Sequence, residues 1–351
     1  MKKIVVGMSG GVDSSVTAYL LKEQGYEVIG ATMRIWQEAG RESQTAEEDA
    51  KRVAEHLGIP HFIIDLEEEF HREVVGRFTQ AYLSGETPNP CIFCNPMLKW
   101  GAFYERCKEL GADMIATGHY ARILQLPDGR YTLQNAVSAG KDQTYVLYRL
   151  SQEQLSQTLM PLGVYDKPQV RQIAAEAGLP VAEKKDSQDI CFIPDGDFAG
   201  FIRRECGTLG KSGPFVLLDG ENTPRTIGEH DGTARFTIGQ RKGLGVAAGR
   251  PVYVCGIDAG SGQVFLGDHD RLMQKSLTAS RLGHMGEARF DENKEYRART
   301  RYSQKSSLCR VTYLEEDRIR VDFAEPVRAI TPGQSVVLYT DDWIAGGGVI
   351  E

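Results

Sequence analysis

Ser9-Gly10-Gly11-Val12-Asp13-Ser14-Ser15 is the run whose residue types and spacing most clearly suggest chemistry. Gly10 and Gly11 allow backbone N–H groups to turn towards one point, and the N-terminus of the helix that follows adds the positive end of its dipole. Ser9, Ser14 and Ser15 supply hydroxyl donors. Asp13 can orient the loop or hold a magnesium ion. The natural occupant is an anion such as a nucleotide phosphate. The run lacks the Lys-Ser/Thr ending of the Walker loop and the spaced glycines of a dinucleotide site. A ligand-free turn is the competing reading, and it suits a lone Gly-x-Gly better than this longer run.

The second constellation is Thr87-Pro88-Asn89-Pro90-Cys91-Ile92-Phe93-Cys94-Asn95, with Cys191 as a third thiol. Two prolines remove backbone donors and restrict the segment's shape. The Cys-x-x-Cys pair could grip a metal, a cluster or a disulfide. Lys184 and Lys185 would favour a thiolate at Cys191. A structural zinc site wants four ligands, and no fourth Cys or His has suitable spacing. Three cysteines with one open position suit a [4Fe–4S] cluster, or a dithiol with a persulfide carrier. Seven cysteines, an odd number, do not suggest a disulfide scaffold. Cys107, Cys255 and Cys309 read as small buried apolar residues, and Cys206 has no assignment.

These groups must be positioned by the elements around them. Ile4-Val5-Val6 reads as a strand feeding the Ser9–Ser15 loop, and a helix follows to Gln24. Strand 27–33, a helix capped by Thr45 and Glu48 and ending at Gly58, strand 61–65, and a helix to about Ser84 continue the alternation. A loop spans 85–96, a helix 98–110, and strand 113–117 enters Gly118-His119-Tyr120. This βαβα rhythm implies a doubly wound parallel sheet, with ligands at the carboxyl ends of its strands. A hairpin is expected over 122–134 around Asp128-Gly129, and helices over 152–159, 168–177 and 198–205. Beyond about Thr208, helical periodicity gives way to short β-branched runs and frequent glycine. We divide the chain into residues 1–207, an α/β catalytic domain; 208–272, a small central domain; and 273–351, a C-terminal β-barrel.

The chain has 351 residues, 41% apolar and 25% charged, as expected for a multidomain globular protein. No apolar run reaches membrane-spanning length, and the first strand begins too early for a signal peptide, so the expected location is cytoplasmic, with no membrane partner. A net charge of −7 argues mildly against nucleic-acid binding. Arg297, Arg299, Arg301, Lys305 and Arg310 nevertheless form a local basic stripe, which is either a phosphate-contacting surface or a solvated strand face.

The Ser-Gly-Gly-x-Asp-Ser loop resembles that of the PP-loop ATP pyrophosphatases. With Thr87–Pro90, Cys94-Asn95, Ala116–Tyr120, Lys141–Gln143, Lys184–Ser187, Ile190–Ile193, Thr237–Gly245, Thr300–Tyr302, Thr331–Gln334 and Gly346–Gly348, the chain resembles the bacterial tRNA-specific 2-thiouridylases over nearly its whole length. The resemblance implies ATP-dependent adenylation of the wobble uridine of tRNA, then sulfur transfer to C2 with release of AMP. It implies ATP contacts at Gly7, Met8, Ser9, Gly10, Gly11, Val12, Asp13 and Ser14, with the adenosine near Met33 and Gly118. It implies tRNA contacts at His119, Lys141, Asp142, Gln143, Arg301, Tyr302 and Gln334, and the target base near Asn89, Pro90 and Cys91. ATP, Mg2+ and a sulfide or persulfide donor, either a cysteine desulfurase or a relay protein, are the implied small-molecule and protein partners. In the mechanism drawn for the family, the cysteine matching Cys191 carries the persulfide and the one matching Cys94 attacks it, leaving a Cys94–Cys191 disulfide. The best-known members have Asp where this chain has Cys91. That change puts the Asp's role in doubt here and completes the three-thiol set (Cys91, Cys94, Cys191) of cluster-dependent tRNA thiolases. An adenylating amidase or ligase and a redox-responsive RNA-binding protein are the competing classes.

Overall fold

The computed structural model describes residues 2–36, 43–184, 190–219 and 224–351. Lys185 and the rest of its motif through Ser187 lie outside the described residues.

The first seven strands are β1 (Lys3–Gly7), β2 (Glu27–Arg34), β3 (His61–Asp65), β4 (Met114–Ala116), β5 (Ala121–Gln125), β6 (Tyr131–Asn135) and β7 (Thr158–Leu159). Five of them form a parallel sheet in the order β3-β2-β1-β4-β7. β1 is central, and Ile4, Val5 and Val6 are all fully buried, as expected for a parallel strand covered on both faces. Val5 packs with Phe70, Phe78, Leu98 and Phe103. Ile4 and Val6 point the other way, towards Val16 and Leu21 of α1 (Val12–Glu23) and Val53 and Leu57 of α2 (Ser43–Leu57). With helices on both faces, all carboxyl ends of the strands open on one edge. Gly7, Arg34 and Ala116 end their strands there.

Three local expectations are corrected. Thr45 lies inside α2 and so does not cap it. Residues 152–159 split into a helix over Gln152–Ser156 and the edge strand β7. The segment 85–96 is not a continuous loop: a short helix, Pro90–Cys94, runs into wide-turned π-helix over Asn95–Phe103. The Asn89 side chain accepts from the Cys91 N–H and Pro90 takes the first helical position, so Asn-Pro is a helix start rather than a loop.

Strands β8 (Gly213–Leu217), β9 (Arg225–His230), β10 (Tyr253–Asp258) and β11 (Gln263–Gly267) make a four-stranded sheet around Phe215, Leu217, Val254 and Leu266. Then β12 (Met273–His284), β13 (Tyr296–Arg299), β14 (Ser307–Glu315), β15 (Arg318–Arg328), β16 (Ser335–Thr340) and β17 (Trp343–Ile350) form a barrel, closed where Ala279 pairs with Ile350. Closure leaves no open edge among the six strands. The β5–β6 hairpin forms around its Asp-Gly turn, but it joins the barrel's sheet through Trp343 and Gln134. Val337, Tyr339 and Ile344 of the barrel in turn pack into the core on one face of the parallel sheet. The barrel is therefore built against the α/β unit, with a shared core. Among the described residues, no helix is long and apolar enough to cross a membrane.

Candidate active site

A cleft of about 1300 Å³ opens at the carboxyl edge of the parallel sheet. One wall is the loop after β1. Gly10 has φ +67°, and a Cβ there would stand 2.4 Å from the Ala46 carbonyl oxygen, so only glycine allows α2 to close on the loop. Ser9 N–H donates to Ser14 Oγ (3.2 Å), while the Ser14 and Ser15 hydroxyls donate to the Gly11 carbonyl. No side chain caps α1 at Gly11, so its first-turn N–H groups stay open for an anion. Lys184 clamps the loop from outside, its ammonium donating to the Gly10 carbonyl (3.0 Å) and to Asp49 (2.6 Å).

Asp13, at the start of α1, accepts from Lys167 Nζ at 2.8 and 2.9 Å and from Tyr120 Oη at 2.8 Å. Lys167 was not a sequence candidate. It is the first residue of the helix Lys167–Glu176, where the dipole disfavours a cation, and that misfit is the signal that could have found it.

Gly118 closes the loop from the other side. A Cβ there would fall 2.9 Å from the Asp13 carbonyl carbon and the Ser14 nitrogen, both backbone atoms with no freedom to yield. We expect Gly118→Ala to displace the start of α1 and weaken ATP binding by roughly tenfold or more, read by calorimetric titration. Unchanged affinity would show that the loop tolerates the shift.

The same cleft is lined by Met33, Asn89, Cys91, Cys191, Lys99, His119, Lys141, Gln143 and Tyr302, so most of the sequence candidates converge on it. Six others do not line it: Gly10, within the loop itself, the buried Pro90, and four that stand elsewhere. Cys94 is buried behind Cys91 in the core. Asp142 is buried and accepts from Arg299 (2.8 Å) and Thr144. Arg301 donates to the Ile238 carbonyl and to the Thr331 hydroxyl, and Gln334 donates to the Thr87 carbonyl. Of the expected basic stripe, Arg299 and Arg301 therefore turn inward, and Arg310 lies 3.6 Å from Glu295.

Cys91 and Cys191 open to the cleft, while Cys94 is buried. Burial pushes Cys91 up and Cys94 up to about 11, and burial together with the neighbouring Cys94 and Cys91 pushes Cys191 up to about 12. The lysine that opposes this at all three sulfurs is Lys99. Lys184, expected to favour a thiolate at Cys191, is committed to Gly10 and Asp49. Lys99 also escaped the sequence reading. It stands five residues beyond Cys94, a spacing that brings side chains to one face on a π turn and not on an α-helix, and π turns leave no clear sequence signature.

Lys99 Nζ lies 3.3 Å from His119 Nε2, which must accept, so the Nδ1–H of His119 donates to Thr117 Oγ1 at 2.8 Å. Burial and then Lys99 hold the His119 pKa well below 6.5, and the ring is neutral. A depressed histidine pKa stabilises the fold fully above the unfolded value and loses that stability as pH falls below about 6.5. His119→Gln should therefore flatten the acid limb of a thermal-melt pH profile, by up to about 1.4 kcal/mol per pH unit for one proton. An unchanged limb would mean His119 titrates normally.

A glycine-turned anion cradle at the carboxyl edge of a parallel sheet, sharing its cleft with two open thiols, defines a nucleotide-binding α/β protein with thiol chemistry. The comparisons narrow this. The family described as tRNA methyl transferase HUP domain matches residues 2–195, the tRNA methyl transferase PRC-barrel domain residues 200–268, and the Aminomethyltransferase beta-barrel domain residues 274–350. A tRNA-specific 2-thiouridylase from Lachnoclostridium phytofermentans is 48% identical, covering 100% of this chain and 99% of that protein. One from Clostridium acetobutylicum is 47% identical, over 100% and 99%. The chain belongs to the tRNA-specific 2-thiouridylase family. Among solved structures, the U34-tRNA thiolase NcsA from Methanococcus maripaludis with its [4Fe-4S] cluster is similar at a TM-score of 0.36 and 19% identity, over 58% of this chain and 67% of that one. That likeness is too remote to bear on the chemistry here.

Proposed function

We propose that this protein uses ATP to replace the 2-oxygen of the wobble uridine of tRNA with sulfur, giving 2-thiouridine, AMP and pyrophosphate. The observation that carries the reading is the single cleft: anion cradle and thiols face one cavity, larger than the ~300–1,000 Å³ typical of a small-ligand site and roomy enough for a nucleotide beside an extruded base. Its lining carries Arg34, Lys99, Lys141 and Lys184 against Asp13 and Glu47, a balance suited to phosphate-rich substrates.

In this reading Gly7–Ser14 cradle the phosphates, while Met33 and Gly118 flank the adenosine. Asp13 is the carboxylate that would hold Mg2+, an ion bound through one or two carboxylates plus substrate phosphates, in exchange for the Lys167 ammonium that now meets both its oxygens. Glu47 is committed to Arg34 at 2.9 Å. When bound, Mg2+ neutralises charge on the pyrophosphate leaving group. Asn89, Pro90 and Cys91 receive the target base, and His119, Lys141, Gln143 and Tyr302 are placed to meet the RNA around it. The buried Asp142 acts on that surface through Arg299 and Thr144.

The uridine O2 attacks the α-phosphorus and expels pyrophosphate, so that AMP becomes the leaving group at C2. A persulfide delivered to Cys191 by a cysteine desulfurase or relay protein then supplies the sulfur. The Cys94 thiolate attacks Sγ of Cys191, the outer sulfur leaves as hydrosulfide, and a Cys94–Cys191 disulfide remains. Hydrosulfide adds at C2 and expels AMP. An external thiol reductant returns two electrons and two protons to the disulfide.

Among the described residues, no three His, Cys, Asp or Glu side chains converge as a metal site. Cys94 lies in the core while Cys91 and Cys191 open to the cleft, and no step is routed through a [4Fe–4S] cluster. A tRNA substrate and thiols that must be kept reduced support a cytoplasmic location.

The test is incorporation of labelled sulfur into tRNA from a persulfide donor with ATP. Sulfur in 2-thiouridine with matching AMP release is the expected result. AMP formation with no sulfur incorporated from any donor would overturn the reading in favour of an adenylating ligase.

A further inference from the structure

Three distant segments of the chain meet at Thr87, four residues before Cys91. The Thr87 N–H donates to the Pro332 carbonyl (2.9 Å), and its own carbonyl accepts from Gln334 Nε2 (2.6 Å). Both backbone groups are thus held by the barrel. Its hydroxyl lies 3.4 Å from that of Thr237 in the central domain. Arg301 bridges the two outer partners, donating to the Ile238 carbonyl at 2.8 Å and to the Thr331 hydroxyl. Thr331 Oγ1 in turn donates to the Ala329 carbonyl, which shapes the turn. Gly333, at φ +85°, presses against the same spot: a Cβ there would stand 2.8 Å from Glu86 Cβ and 3.0 Å from the Thr87 nitrogen. Thr87 is 9% exposed, so water does not replace these bonds readily.

From Thr87 only Pro88 intervenes before Asn89, whose side chain caps the thiol-bearing helix at the Cys91 N–H (3.1 Å). Pro88 and Pro90 restrict the intervening backbone, so a displacement at Thr87 passes to the helix instead of being absorbed. We propose that Gln334 and Arg301 are positioning residues for the thiols: through Thr87 the barrel and the central domain set where Cys91 and Cys94 stand against the cleft. This rests on the thiolation reading and deepens it. It gives Arg301 and Gln334 work inside the protein, where the family resemblance implies RNA contacts.

Two variants test it on the full-length protein. Gln334→Leu removes the donor at similar volume, and Gly333→Ala pushes on Thr87 from the same turn. Four quantities are read for each: tRNA affinity, ATP-dependent AMP formation, single-turnover sulfur incorporation, and residue-resolved alkylation of Cys91 in the tRNA-free enzyme. A thermal melt confirms that each variant is folded. The expected result is sulfur incorporation slowed roughly tenfold to a hundredfold, the scale of an ångström of misplacement. Cys91 alkylation should change in the free enzyme, with tRNA affinity and AMP formation within about twofold of wild type. Weakened tRNA affinity with unaltered Cys91 alkylation would overturn the proposal and make Gln334 an RNA contact. Should the wild-type enzyme incorporate no sulfur, the thiolation reading falls instead, and the alkylation comparison still decides the junction. If one variant unfolds, the other carries the test.

Discussion

Cys94→Ala and Cys191→Ala should each lower sulfur incorporation to background, an expected loss of roughly 10³-fold or more on the scale of removing a nucleophile, while ATP-dependent AMP formation should persist. The separation follows from the geometry. The phosphate cradle is built by β1, α1 and Gly118, and no thiol contributes a hydrogen bond to it. Cys94 packs among apolar side chains, and its loss to alanine removes little volume. The sulfur step carries a pH signature as well. Cys94 is held near 11, so its thiolate fraction, and with it the rate, should rise about tenfold per pH unit from about pH 7 to 9. Lys99→Met removes the cation that favours the thiolate and should lower that line without changing its slope. AMP formation lost in both cysteine variants would mean the cysteines are structural, and a flat pH profile would remove Cys94 from the attacking role.

Asp13→Ala should cripple the proposed first half-reaction, with AMP formation expected to fall by roughly 10²–10³-fold. Two effects combine. The cradle loses its one carboxylate and with it the proposed magnesium ligand. The Lys167 ammonium, with its side chain only 13% exposed, also loses the carboxylate at 2.8 Å. Removing one member of such a pair costs more than the pair was worth, so a lowered melting temperature should accompany the lost activity. Lys167→Met is the discriminating control. It leaves Asp13 with the Tyr120 hydroxyl and should retain more AMP formation than Asp13→Ala, with magnesium dependence intact. Equal losses in the two variants would mean that the ion pair, not the carboxylate, is the essential feature. Quenched time courses of AMP release at several magnesium concentrations decide between them.

Much of the site was legible because its parts are local. Strand, glycine turn and helix follow one another within twenty residues, and the physics that makes Ser9–Ser15 an anion cradle acts over single hydrogen bonds. The alternation of strands and helices set the parallel sheet, and its carboxyl edge collected Met33, Gly118 and His119 as expected for such sheets. The Asp128-Gly129 hairpin formed for a local reason too, although what it paired with was decided elsewhere.

What escaped the sequence is what distance in the chain conceals. Lys167 reaches Asp13 across 154 positions, and Gln334 reaches Thr87 across 247. Asp142 was read beside Lys141 and Gln143 as one run, but it turns inward to Arg299, because a buried carboxylate needs a cation and the barrel supplies one. Lys99 joined His119 and the thiols through a π turn. By itself the sequence determined the chemistry available: an anion-binding loop, a Cys-x-x-Cys pair read as part of a loop, and a third thiol. Only the tertiary structure decided which charges face that chemistry, because burial leaves a charged group stable only beside a partner. It also decided that the barrel grips the segment leading to Cys91, because a shared core and a buried junction join units that composition alone kept apart.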